Sequence, residues 1–225
     1  MKRLVPLLAF TALLSACSVV PESRGSQAPA APRIQQAAPI AAAPQDRQCL
    51  TQLTDTGAQF VPVADAYTGQ GCSTVGTVQL SALRSDVARL SVSNIGPVQC
   101  GVGAAFAAWA RFGVDRAAQQ ILGSPLQRIE TMGSYACRNV AGSQRRSAHA
   151  TAGAIDIAAF VLEDGRRISV VEDWHAGTGA EKEFLRTVQR SACRRFATVL
   201  GPEYNAAHRD HFHVEGVIGD SSYCR

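Results

Sequence analysis

Apolar and polar residues alternate, cluster and vanish in distinct stretches of this chain, and the pattern divides it into three parts. Lys2 and Arg3 precede a nearly unbroken apolar run that closes on Leu13-Leu14-Ser15-Ala16. A charged head and a short apolar body ending in small residues predict a secretory signal over residues 1–16, too short for a stable membrane anchor. Residues 17–46 are mostly Ala, Pro, Gln and Ser with few large apolar side chains. Such a segment buries too little surface to offset the entropy of ordering, so a disordered tether is expected there. Sustained apolar periodicity begins near Arg47, and one folded domain is expected over residues 47–225.

Within that domain both periods occur. Residues 101–122 are Ala-rich with Phe106, Trp109 and Ala110 at helical spacing, which predicts a helix with Trp109 in the core. Residues 181–200 predict another, because Phe184 or Leu185, Val188, Ala192, Phe196 and Val199 recur at helical intervals. Glu181 and Glu183 open that helix, Arg194 and Arg195 come late in it, and Gly201-Pro202 stops it. Residues 154–162 are rich in strand formers, Asp164-Gly165 is a turn pair, and residues 167–171 alternate as a return strand. A further short strand is expected at 211–217. Helices segregated from an antiparallel sheet make an α+β fold, here a small sheet flanked by helices.

Composition adds exclusions. At 46% hydrophobic and 18% charged residues the chain is an ordinary globular protein, and no apolar stretch is long enough to span a bilayer as a helix. A net charge of +4, scattered along the sequence, argues against a nucleic-acid partner. No glycine-rich phosphate loop points to nucleotide chemistry.

Cysteine changes the picture more. Leu14-Ser15-Ala16-Cys17 resembles the bacterial lipobox, which implies that Cys17 is acylated and becomes the mature N-terminus. Ser18, in place of an aspartate, favours the outer membrane by the same resemblance. Removing Cys17 from the seven cysteines leaves Cys49, Cys72, Cys100, Cys137, Cys193 and Cys224. An even set in an exported protein reads as disulfides, and a disulfide-stapled domain is expected. Pairing neighbours in chain order joins Cys49 to Cys72, Cys100 to Cys137 and Cys193 to Cys224. No Cys-x-x-Cys spacing suggests a cysteine zinc site.

All five histidines lie between positions 149 and 213. Asp156 stands between Ile155 and Ile157 in a predicted strand, where a carboxylate needs a cation, a donor or a metal. His149 lies upstream, with Gly153 between them for a sharp turn. On a strand, His211 and His213 share one face while Phe212 takes the other. His-x-His alone is a weak motif. Two histidines and a carboxylate with a position open to water form the ligand set of a catalytic zinc site, whereas calcium and magnesium want more oxygen ligands.

The segment Ser147-Ala148-His149-Ala150-Thr151-Ala152-Gly153-Ala154-Ile155-Asp156 resembles the Ser-x-His-x-x-Gly-x-Ala-x-Asp motif of D-Ala-D-Ala carboxypeptidase and lysostaphin-type metallopeptidases, with the glycine one place late. Over residues 49–216 the chain is similar to the bacterial extensin-like C-terminal domain family. Gly133-Ser134-Tyr135-Ala136-Cys137-Arg138, Asp173-Trp174, Phe184-Leu185-Arg186 and Ala192-Cys193-Arg194-Arg195-Phe196 carry that likeness. Val199-Leu200-Gly201-Pro202 and His208-Arg209-Asp210-His211-Phe212-His213 complete it.

The resemblance implies a hedgehog/D-Ala-D-Ala peptidase-like fold with Zn2+ on His149, Asp156 and His213. It further implies peptidoglycan stem peptides as substrate, cut by an envelope endopeptidase or carboxypeptidase, and a monomer is expected. Arg138 would lie near the scissile carbonyl or a substrate carboxylate, Trp174 would line the cleft or pack behind it, and Ser147 would hydrogen-bond to His149. Many relatives place a glutamate three residues before the last ligand, where this chain has Asp210. Strand parity puts His211 on the metal side as base or transition-state stabiliser, with Asp210 as its orienting partner or as the base itself. Glu215 shares the face of His213 as a weaker candidate, and His175 and His208 are expected to be exposed loop residues. The departure at Asp210 leaves a second reading, a lipid-anchored wall-binding or scaffold protein that keeps the metal without the chemistry.

Overall fold

The computed structural model describes residues 44–225, so Cys17 and the segments read as a signal and, up to residue 43, as a tether lie outside the described residues. Helix α1 (Pro44–Asp55) begins inside the segment read as tether, with proline at its first position, where the missing N–H has no helical partner to lose. The N-terminal strands follow: β1 (Gln59–Pro62), the hairpin β2 (Tyr67–Gly69) and β3 (Cys72–Ser73), then β4 (Thr77–Arg84), β5 (Arg89–Ser93) and β6 (Val98–Gln99). Helix α2 (Cys100–Trp109) continues in wider π-type turns as far as Leu122, where Gly123 at φ 72° ends it. After β7 (Leu126–Gly133) a single turn at Ala148–Thr151 enters β8 (Ala154–Leu162) and β9 (Arg167–Ser169). Helices α3 (Val170–Ala176) and α4 (Gly179–Ala192) come next, then β10 (Thr198–Leu200), β11 (Phe212–Glu215) and β12 (Tyr223–Cys224).

The fold is α+β, and its ten-stranded sheet runs β1-β4-β5-β7-β8-β11-β10-β12, with β6 on β4 and β9 on β8. Neighbours are antiparallel except β5–β7 and β10–β12. The sheet is wider than the pattern predicts because strands such as β4 are buried almost throughout and show no clean alternation.

Strand β8 is the centre. Opposite β7 its register slips, Glu130 facing Ala159 and Thr131 facing Ile157, so Ala158 is an extra residue and the strand bulges. The bulge changes which face each side chain takes. Ile155, Ile157, Phe160 and Leu162 all reach the core, while Asp156 is left on the opposite face. Phe160 meets Phe184 edge-on at 5.3 Å, and Trp109, fully buried as expected, donates its indole N–H to the Val188 carbonyl at 3.1 Å. Those contacts clamp α2 and α4 over one side of the sheet.

Two elements end earlier than their periodicity suggests. The return strand stops at Ser169, whose N–H is taken by the Asp173 carboxylate at 2.7 Å, and Val170-Val171 become the first turn of α3. Helix α4 opens with a capping box between Thr178 and Glu181 and ends at Ala192 rather than near residue 200. Phe196 and Val199 are buried all the same, because Val199 enters β10 and pairs with Val214 of β11. Burial at the right spacing cannot separate these two outcomes.

The disulfides join Cys49 to Cys100, Cys72 to Cys137 and Cys193 to Cys224, with Cα–Cα distances of 6.0, 5.5 and 5.8 Å. Only the last matches neighbour pairing. Helix α1 packs on α2 and brings Cys49 to Cys100; the β2–β3 hairpin lies by the loop after β7 and brings Cys72 to Cys137. These two bridges interleave along the chain, so sequence order carries no information about them. They close segments of 51 and 65 residues, and the chain-entropy estimate for such loops is about 4 kcal/mol each. Non-reducing peptide mapping should recover Cys49–Cys100 and Cys72–Cys137, and a Cys49→Ala/Cys100→Ala variant should lose several °C in Tm. A peptide linking Cys49 to Cys72 would contradict the fold.

Candidate metal centre

The register of β8 against β11 sets Asp156 directly opposite His213. Cross-strand partners share a face, so these two side chains meet although 57 positions separate them. His149 arrives from the turn at Ala148–Thr151, where the Ser147 hydroxyl accepts the His149 backbone N–H at 3.3 Å. Ser147 therefore shapes the turn, its hydroxyl bonded to the backbone of His149 rather than to the imidazole. The chain reverses at Ala152, φ 56°, rather than at Gly153. Ala152 is the place where the motif compared above has its glycine, and a left-handed alanine costs about 1–2 kcal/mol.

The three side chains are buried, with candidate ligand atoms all within 4.8 Å of one another. His149 Nε2 lies 3.3 Å from His213 Nδ1 and 3.2 Å from Asp156 Oδ2, and His213 Nδ1 lies 2.8 Å from Asp156 Oδ1. Ligands about 2.0–2.1 Å from a tetrahedral zinc stand about 3.3 Å apart. The triangle has nearly that edge, and His149, Asp156 and His213 could hold a metal ion.

Outer partners orient both histidines. His149 donates its Nδ1–H to the Ser134 carbonyl at 3.0 Å, which turns Nε2 toward the cluster. His213 Nε2 donates to Glu215 at 3.3 Å, so Nδ1 is the inward atom. Burial alone would raise the Asp156 pKa, but hydrogen bonds from His149 and His213 override it and hold the carboxyl well below the usual range. Burial likewise pulls His213 down, yet hydrogen bonds to Asp156 and Glu215 leave it raised to about 9. Glu215 is lowered first by that same bond to His213. A proton on His213 balances the buried carboxylate, and a divalent cation would compete with it.

Beside the triangle, His211 is also buried. Its Nδ1 donates to Asp210 Oδ1 at 2.8 Å, and its Nε2 points inward, 3.5 Å from Asp156 Oδ1. The family model described as "Extensin-like protein C-terminus" matches residues 47–225. The chain belongs to this family. No curated protein and no solved structure matches it.

Other positions noted in this extensin-like domain are placed as follows. Arg138 is exposed on the loop after β7, and among the described residues its guanidinium has no hydrogen bond or ion pair. Trp174 does not line a cleft. It is 1% exposed, packs edge-on against Phe212 at 5.6 Å, and donates to Glu203 at 2.9 Å, so it braces the back of β11. His175 is exposed as expected, but His208 is half-buried, with ring centroids 5.2 Å from His211 and 5.7 Å from His213. Burial is the leading cause that lowers its pKa to about 4, which keeps a further positive charge away from His213.

Sequence reasoning missed the Ser134 carbonyl, because a backbone acceptor leaves no mark on residue type. Glu215 was visible on the face of His213, but its role is to anchor that imidazole.

The raised His213 pKa stabilises the metal-free fold below its unfolded value of 6.5, and that contribution is lost as pH rises through about 9. The loss amounts to at most about 3 kcal/mol. Tm of the metal-free protein should therefore fall between pH 6.5 and 9, with a weaker fall in Glu215→Gln. An unchanged Tm across that interval would contradict the proton-bridged arrangement.

Proposed function

We propose that the protein is a zinc peptidase of the cell envelope, cutting peptidoglycan stem peptides as an endopeptidase or carboxypeptidase. The observation that carries this reading is the Asp210–His211 hydrogen bond of 2.8 Å beside the His149–Asp156–His213 triangle. A purely structural metal site has four protein ligands and needs no oriented base next to it. Here three candidate ligands converge, and a third imidazole, that of His211, faces them with its outer nitrogen already engaged.

Held by His149, Asp156 and His213, zinc would bring the pKa of a water toward about 7 and polarise a peptide carbonyl. His211 Nε2 takes the proton from the attacking water and returns it to the leaving amine. Asp210 keeps the proton of neutral His211 on Nδ1, so that Nε2 is free to accept, and then stabilises the imidazolium. Glu215 and the Ser134 carbonyl keep the ligand imidazoles from rotating. Arg138, uncommitted on the loop that also supplies Ser134, would receive a substrate carboxylate as a bidentate partner. Acylation at Cys17 would hold the domain at the outer membrane, within reach of the wall.

His211→Ala should retain zinc and fold but lower turnover by about 100-fold or more, whereas Asp210→Ala should cost about tenfold. The two are compared at equal zinc content on the same muropeptides, read by mass spectrometry. A larger loss for Asp210→Ala would make the aspartate the base. Zinc binding without cleavage of any peptidoglycan by the wild type would favour the scaffold reading.

A further inference from the structure

A second polar cluster lies far from the histidines, at the closed end of the β4–β5 hairpin. Arg84 and Arg89 are direct cross-strand partners in the ladder. Like charges set opposite each other destabilise a sheet unless something lies between them. Among the described residues neither guanidinium has a carboxylate partner. The nearby acid of the connecting loop, Asp86, is taken by Arg111 at 2.7 Å and Arg116 at 2.8 Å.

Both arginines line one cleft of about 300 Å³, together with Gln59 and Gly57 and with no acidic residue. The arrangement is held in place. Gly57 sits at φ 73°, and a Cβ there would come within 2.8 Å of Arg84 Cδ, so the arginine stem lies in the space a side chain would fill. The loop between the strands is braced by the Ser85 hydroxyl, which accepts the N–H groups of Val87 and Ala88 at 3.2 and 2.8 Å. Arg89 also borders a second cleft of about 430 Å³ that reaches Arg128 on β7. Arg128 is five residues along β7 from Gly133, the partner of Asp156, or roughly 15–20 Å of strand.

We propose that the Arg84–Arg89 cleft binds a phosphate group. Two guanidinium forks lining one cleft, together with the Gln59 amide, offer more donors than one planar carboxylate accepts. A tetrahedral oxyanion with several oxygens can engage both forks at once and removes the repulsion between them. The phosphate could be free or part of a phospholipid headgroup, since the chemistry of recognition is the same.

The test uses the full chain carrying Cys17→Ser, so that no acyl chain confounds vesicle binding. Inorganic phosphate is titrated by calorimetry, and vesicles of phosphatidylglycerol in phosphatidylcholine are tested by co-sedimentation against phosphatidylcholine alone. Saturable binding of either probe should weaken at least tenfold in Arg84→Gln and in Arg89→Gln and persist in His149→Ala, which separates this site from the metal centre. Binding of inorganic phosphate assigns a free anion, and binding of the anionic vesicles alone assigns a headgroup. In phosphate-free, low-salt buffer Arg89→Gln should also raise Tm by relieving the unpaired charge. Binding unchanged in both glutamine variants, or no saturable binding of either probe, would overturn the proposal.

Discussion

A buried carboxylate facing an imidazole across a β-ladder is the interaction on which this structure depends. Asp156 is 8% exposed, and an unpaired charge so placed would cost several kcal/mol. The nitrogens of His149, His211 and His213 all approach its two oxygens, at 2.8–3.5 Å. Each approach requires a separate piece of architecture: the β8–β11 register for His213, the turn at Ala152 for His149, and the Asp210 hydrogen bond for His211. The bulge at Ala158 lets the same strand fill the core with Ile155, Ile157 and Phe160 while turning Asp156 away from it.

The second layer explains why the cluster can stay preorganised. Ser134 belongs to a loop whose Ala136 N–H binds the His149 carbonyl at 3.1 Å. The Cys72–Cys137 bridge ties this loop to the β2–β3 hairpin, and β3 packs on the turn that carries His149. Arg146 reinforces the same junction by donating to the Gln70 carbonyl at 2.9 Å. On the other side, Trp174 supports β11 through Phe212, between the two inward histidines in sequence but on the opposite face. The ligands thus rest on a disulfide-fastened loop in front and an aromatic contact behind.

Residue type and spacing made His149, Asp156 and His213 legible, because a carboxylate between two isoleucines and a His-x-His pair on strands ask for an explanation. The strand at 154–162 and the buried Trp109 were legible for the same reason, that burial follows local period. What depends on register or on backbone atoms was not. Neither the opposition of Asp156 and His213 nor the Ser134 acceptor follows from local pattern. The interleaved bridges of Cys49 and Cys72 follow from how α1 and the β2–β3 hairpin pack, which chain order does not encode. Phe196 and Val199 kept a helical rhythm while leaving the helix, since the core lies on the same side of α4 and β10.

X-ray absorption at the zinc edge on the protein loaded with one equivalent of zinc tests the central claim most directly. The account predicts a first shell of two imidazole nitrogens, one carboxylate oxygen and one further oxygen at about 2.0–2.1 Å, with imidazole scattering reduced in His213→Ala. A shell containing sulfur at about 2.3 Å, or one unchanged when His213 is replaced, would contradict it.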